Sequence, residues 1–69
     1  MEKEVGRIKK NDTTEIVVKV DDYGGNLGVT IREFVTSDNY TGFTKQGTRI
    51  TKEQWDAFKK LVGEVSFEE

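Results

Sequence analysis

The chain contains no cysteine and no histidine. It can therefore form no disulfide, offer no thiolate nucleophile, and build none of the usual zinc sites or imidazole general bases. No apolar run approaches the ~18 residues that crossing a bilayer requires, and Met1-Glu2-Lys3-Glu4 lacks the basic and apolar regions of a signal peptide. A cytoplasmic chain without a membrane partner is expected. The glycine-rich run Gly24-Gly25-Asn26-Leu27-Gly28 is not a phosphate loop, because no lysine-serine or lysine-threonine pair follows it and no helix opens after it. The carboxylates are scattered over turns and a helix surface, so none are paired for acid–base work or metal chelation. The expectation is a protein that is not an enzyme, with no cofactor, no metal and no small-molecule substrate.

An excess of positive charge is also missing. The formal net charge is −2 and the isoelectric point about 5.1, the wrong sign for binding phosphates through bulk electrostatics. Distribution matters more than the total. Residues 7–49 carry seven basic groups against six acidic ones, whereas residues 50–69 carry three against five. A sheet face built from the first segment can be positive while the whole chain stays acidic.

A chain of 69 residues is one small domain, and a single core of that size seldom supplies more than about 3–5 kcal/mol without help. With disulfides and zinc excluded, oligomerisation is the remaining staple. No repeat, low-complexity tract or linker divides the sequence. Ile16, Val18 and Val20 alternate with Val17, Lys19 and Asp21, and Leu27, Val29 and Ile31 alternate with Gly28, Thr30 and Arg32. Both segments read as half-buried strands with one wet face. Asp22-Tyr23-Gly24-Gly25-Asn26 joins them as a turn in which two glycines and an asparagine tolerate positive φ, so the strands are antiparallel. A short strand around Arg7 to Lys10, ended by Asn11-Asp12, precedes them, and Tyr40 to Arg49 reads as a fourth after the loop Thr36-Ser37-Asp38-Asn39.

Thr51-Lys52-Glu53-Gln54 fits a capping box and starts a helix. Trp55, Phe58, Leu61 and Val62 form its apolar stripe, with Gly63 at its fraying end. Trp55, Phe58 and Val62 are expected in the core or a dimer contact. The folded part is expected over about 5–63, with a loosely held tail at 64–69. The fold class is α+β: a four-stranded antiparallel sheet followed by one helix.

Period-two geometry places Asn26, Gly28, Thr30, Arg32 and Phe34 on the face opposite Leu27, Val29 and Ile31. Arg32 offers a planar fork for phosphate or a stacking surface for a base, and Phe34 stands beside it. Alternatively, Arg32 pairs with a cross-strand acid and Phe34 lines a dimer seam. Lys19 shares the side of Tyr23 by parity.

Asp22-Tyr23-Gly24-Gly25-Asn26-Leu27-Gly28-Val29-Thr30-Ile31-Arg32-Glu33-Phe34 and Lys45-Gln46-Gly47-Thr48-Arg49-Ile50-Thr51-Lys52-Glu53-Gln54-Trp55 together resemble the family of the single-stranded-DNA-binding coactivator positive cofactor four, small bacterial and phage members included. The resemblance runs from about Ile8 to Val62. Tyr23 matches the family's hairpin aromatic, Arg32 the arginine of its Ile-Arg-Glu-aromatic motif, and Glu53-Gln54-Trp55 the opening of its helix. Lys9 and Lys10 stand where the family has a lysine after its first isoleucine. Lys45-Gln46-Gly47 matches its basic run only partly, with Arg49 as a substitute. Gly24 and Asn26 replace the lysines that usually flank the turn, and Val35 stands where some members have tryptophan.

The resemblance implies a homodimer that binds single-stranded DNA without strong sequence preference, RNA being an open alternative, in transcription or the handling of unwound DNA. A bacterial member would be nucleoid-associated. The expected platform is Tyr23 and Phe34, edged by Lys9, Lys10, Lys19, Arg32, Lys45 and Arg49, with Asn26 a further binding residue on the same face. The rival, favoured by the acidic isoelectric point, is a protein-interaction module using the same face and never meeting nucleic acid.

Overall fold

The computed structural model describes residues 1–68. Four strands run β1 (Glu2–Lys9), β2 (Thr14–Asp21), β3 (Gly28–Thr36) and β4 (Thr41–Thr51), followed by one helix, α1 (Lys52–Gly63). The strands form one antiparallel sheet in the order β1-β2-β3-β4, an α+β arrangement as the sequence pattern predicts. The molecule is flat, 18 Å in its thinnest dimension, because a single helix lies on a single sheet.

β-branched residues dominate the sheet's middle, where their stiff side chains suit a pleated surface. Val18 pairs with Ile31, and Val20 with Val29, which in turn pairs with Ile50. The β2–β3 connection is a single 3₁₀ turn, Tyr23–Gly25. Gly24 and Gly25 supply its positive φ of 72° and 85°, but Asn26 is extended at φ −117°. The helix starts where the capping pattern places it, with the Thr51 N–H donating to Gln54 Oε1 at 3.2 Å. Its first turn is tied to the sheet by the Lys52 N–H bonding to the Leu27 carbonyl at 2.9 Å.

Three features differ from the sequence expectation. β1 begins at Glu2 rather than near Arg7, because a bulge between Glu4 and Gly6 breaks the alternation that would otherwise reveal a strand. β3 and β4 reach Thr36 and Thr51. Finally, the strand faces follow the expected parity, but burial does not. Among the described residues Val17, on the supposedly wet face, is the one fully buried apolar side chain at 1 % exposure. Asp21 on the same face is 0 % exposed. Long side chains fold over this face, whereas α1 covers only one end of the other. There Trp55 and Phe58, half-buried and stacked with centroids 5.6 Å apart, lie at the helix start. Trp55 shares a depression with Val20, Leu27 and Val29. Ile8, Leu61 and Val62 remain exposed. Residues 65–68 carry no regular structure, and residue 69 of the expected tail lies outside the described residues.

Candidate nucleic-acid interface

The face bearing Val17 is built from rows that cross the sheet. Arg7 pairs with Val17, Val17 with Arg32, and Arg32 with Gly47. One row along, Lys19 pairs with Thr30 and Thr30 with Arg49. In the other direction Glu15 pairs with Phe34 and Phe34 with Phe43. Every second residue shares a face, so these rows gather cations and aromatic rings over Val17.

Two aromatic rings form the floor at one end. Phe34 and Phe43 meet edge to face, with centroids 5.1 Å apart at 80°. Arg7 lies 5.0 Å from the Phe34 centroid, and Lys19 and Arg32 lie 4.5 Å and 5.7 Å from that of Phe43. Such cation–ring contacts hold the long side chains down, which is why Val17 is covered.

Beside this floor lies a groove of about 350 Å³ lined by Tyr23, Thr30, Arg32, Lys45, Gly47, Thr48 and Arg49. Two local irregularities shape it. Between the pairs Arg32–Gly47 and Phe34–Phe43, β4 spends Thr44, Lys45 and Gln46 against Glu33 alone. The swollen strand pushes Lys45 outward and brings the Thr44 carbonyl to Nη2 of Arg32. Gly47, at φ 150°, lets Arg32 pass: an added Cβ would lie 2.3 Å from the Ile31 carbonyl oxygen and 2.8 Å from Arg32 Cγ.

Arg49 is held differently. Its Nε and Nη2 lie 2.9 Å and 2.8 Å from Asp21 Oδ1, and Nη2 also donates to the carbonyls of Asp21 and Asn26. To get there it crosses Gly28, where a Cβ would stand 2.7 Å from Arg49 Cζ. Asp21 further accepts from Thr30 Oγ1 and from the Tyr23 N–H. Burial pushes its carboxyl up, but the Thr30 and Arg49 hydrogen bonds, the Tyr23 N–H and the Arg49 charge together hold it below the usual carboxylate value. Arg49 thus ties the turn carrying Tyr23 to β4, leaving Nη1 as the group it can offer a ligand.

The structure brings Tyr23, Arg32, Lys45 and Arg49 together around the groove, with Lys19 and Phe34 along its flank. Asn26 takes part through its carbonyl. Lys10 stands apart, with Nζ 2.7 Å from Glu33, whose place in β3 is on the helix-side face. Lys9 lines a separate polar depression with Asp12, Thr13 and Glu15. Trp55 and Phe58 belong to the helix side, and Val62 is exposed.

Phe43 and Arg7 are additional members of this face, Thr30 lies on it as parity predicts, and Thr48 lines the groove although its pairing with Ile31 assigns it to the helix-side face. Phe43 was visible as an aromatic in a strand, but its register against Phe34 depends on the β4 bulge. Arg7 shares the face only through the β1 bulge.

No curated protein and no solved structure matches the chain. A family model does match, over residues 10–61: that of the transcriptional coactivator p15 (PC4). The matched segment begins just after β1 and covers β2, β3, β4 and most of α1, well over half of the sequence; on that match the chain belongs to the PC4 family.

Proposed function

We propose that the protein binds single-stranded DNA along the groove face, largely without regard to sequence, and acts where unwound DNA is handled, as in transcription. The observation that carries this reading is the groove itself. Tyr23, 59 % exposed, stands at its edge, and Arg32 and Lys45 line it with no carboxylate within ion-pair distance among the described residues. An exposed ring beside unpaired cations is the combination that stacks a base while neutralising its flanking phosphates. The groove is open to solvent and can admit a single strand, while a duplex, with its bases stacked inside, presents no free base to Tyr23. Membership of a family of nucleic-acid-binding coactivators agrees with this.

The working unit is a homodimer. Val17, the one fully buried apolar side chain among the described residues, is too small a core for a stable independent domain. Ile8, Leu61 and Val62 on the helix side are at least half exposed, the apolar surface a second copy would cover. Sedimentation equilibrium at micromolar concentration is expected to return twice 7.9 kDa; the monomer mass would refute the dimer.

Fluorescence anisotropy of labelled oligo-dT tests the binding reading. Salt-sensitive binding is expected, competed by unlabelled oligo-dT and far less by duplex of the same length. An RNA strand of matched length decides between DNA and RNA. Absence of binding at low salt would leave the face to a protein partner.

A further inference from the structure

The cations that flank the groove are not free. Glu2 Oε1 lies 3.4 Å from Lys19 Nζ, and Glu2 Oε2 accepts a hydrogen bond from the Tyr23 hydroxyl. Glu4 takes Nε and Nη2 of Arg7 at 2.8 Å and 3.0 Å, a two-point fork, while Arg7 Nη1 reaches Glu15 at 3.1 Å. A carboxylate and a phosphate present the same pair of oxygens to such groups. The bonds lower the carboxyls of Glu2, chiefly through Tyr23 and then Lys19, and of Glu4, chiefly through Arg7. They raise the Tyr23 phenol, chiefly through Glu2.

This arrangement depends on one backbone device. In a regular strand Glu4 and Arg7, three apart, would point to opposite faces. The bulge between Glu4 and Gly6 inserts Val5 and shifts the parity, so Glu2, Glu4 and Arg7 all lie on the groove face. β1 is an edge strand, joined to the sheet by β2 alone, and it precedes the family-matched segment.

We propose that Arg7 and Lys19 extend the phosphate track beyond the groove, and that the β1 carboxylates Glu2 and Glu4 occupy this extension in the free protein as stand-ins for phosphate. An incoming strand seats first on Arg32 and Lys45, then displaces Glu4 from Arg7 and Glu2 from Lys19 and Tyr23. The carboxylates of these pairs are solvent-exposed, Glu2 at 44 % and Glu4 at 40 %, and so can leave their cations, unlike the fully buried Asp21 beside Arg49, which stays. β1 thereby sets affinity and limits the protein to strands long enough to supply the extra phosphates. The inference rests on the reading of this face as a single-stranded-DNA surface.

Glu2→Gln, Glu4→Gln and the double variant test it, with Asp56→Asn/Glu64→Gln on the helix as a control of equal charge change. Removing an exposed competing carboxylate should tighten oligo-dT binding about threefold for each one and about tenfold for the double variant. Its slope of log K against log salt should steepen by about 0.7 for each phosphate contact regained. The control should show neither the gain nor the steeper slope. An ultraviolet titration of tyrosine ionisation reads the contact without DNA: one tyrosine should ionise at lower pH in Glu2→Gln than in the parent. If that shift occurs but the double variant binds oligo-dT no better than the control, the stand-in role is overturned while DNA binding survives. If tyrosine ionisation is unchanged, the Glu2–Tyr23 contact is refuted. If neither parent nor variants bind oligo-dT, both readings fall together.

Discussion

Replacing Asp21 by alanine should do more damage than any other single polar truncation on the groove face. The carboxylate is fully buried and satisfies Arg49, Thr30 Oγ1 and the Tyr23 N–H at once. Breaking a buried ion pair by deleting one partner costs about 3–5 kcal/mol. The Arg49 side chain keeps 27 % of its surface in water, so its stranded charge is partly solvated and a loss of about 2–3 kcal/mol is the better expectation. For a domain of this length that corresponds to a fall in melting temperature of roughly 10–20 °C. Thermal unfolding followed by circular dichroism measures it, at one fixed protein concentration because oligomerisation couples to stability. Arg49→Ala/Asp21→Ala should be no less stable than Asp21→Ala, since the second truncation removes the stranded charge. The acid limb provides an independent check. Asp21 has a lowered carboxyl, so its contribution is complete above the unfolded value near ~3.9 and is lost as pH falls through the folded one. Asp21→Asn should remove that part of the acid sensitivity. A melting shift below about 3 °C for Asp21→Ala would refute the picture of Arg49 as the tie between the Tyr23 turn and β4.

Tyr23→Ala should weaken oligo-dT binding roughly tenfold at every salt concentration, because stacking releases no counterions. Phe34→Ala should lower stability as well as binding, as that ring is half-buried against Phe43; intact binding in both variants would exclude aromatic stacking. Lys45→Ala should leave the melting temperature nearly unchanged and flatten the salt slope by about 0.7, an unchanged slope showing that Lys45 meets no phosphate. Gly47→Ala should lower the melting temperature and weaken binding together, since its Cβ meets the Ile31 carbonyl and Arg32 Cγ; wild-type behaviour would mean that β4 yields freely at this position.

The elements legible in the sequence were those whose signals are local. Alternation exposed β2 and β3, the Thr51–Gln54 box fixed the start of α1, and parity put Arg32 and Phe34 on one face, as the register shows. What stayed hidden depends on irregularity or distance. The bulge at Glu4/Gly6 disguised the first half of β1, and with it the place of Arg7. The three-against-one bulge opposite Glu33 set the Phe34–Phe43 pairing, which no periodicity encodes. Arg49 looked like a free cation because its partner Asp21 lies 28 residues away. Val17 looked wet because period-two reasoning assigns faces but not what folds over them: Arg7, Lys19 and Arg32, held down by the two phenylalanine rings, supply that cover.

The claim that this face of the sheet receives the DNA strand is tested most directly by amide chemical-shift mapping during a titration with oligo-dT. The account predicts that shifts concentrate at Tyr23, Thr30, Arg32, Phe43, Lys45 and Thr48, extending to Arg7 and Lys19 with longer strands. The outward helix residues Asp56, Lys59 and Lys60 should not move. Shifts confined to α1 and the strand residues facing it, or none at saturating oligo-dT, would contradict it.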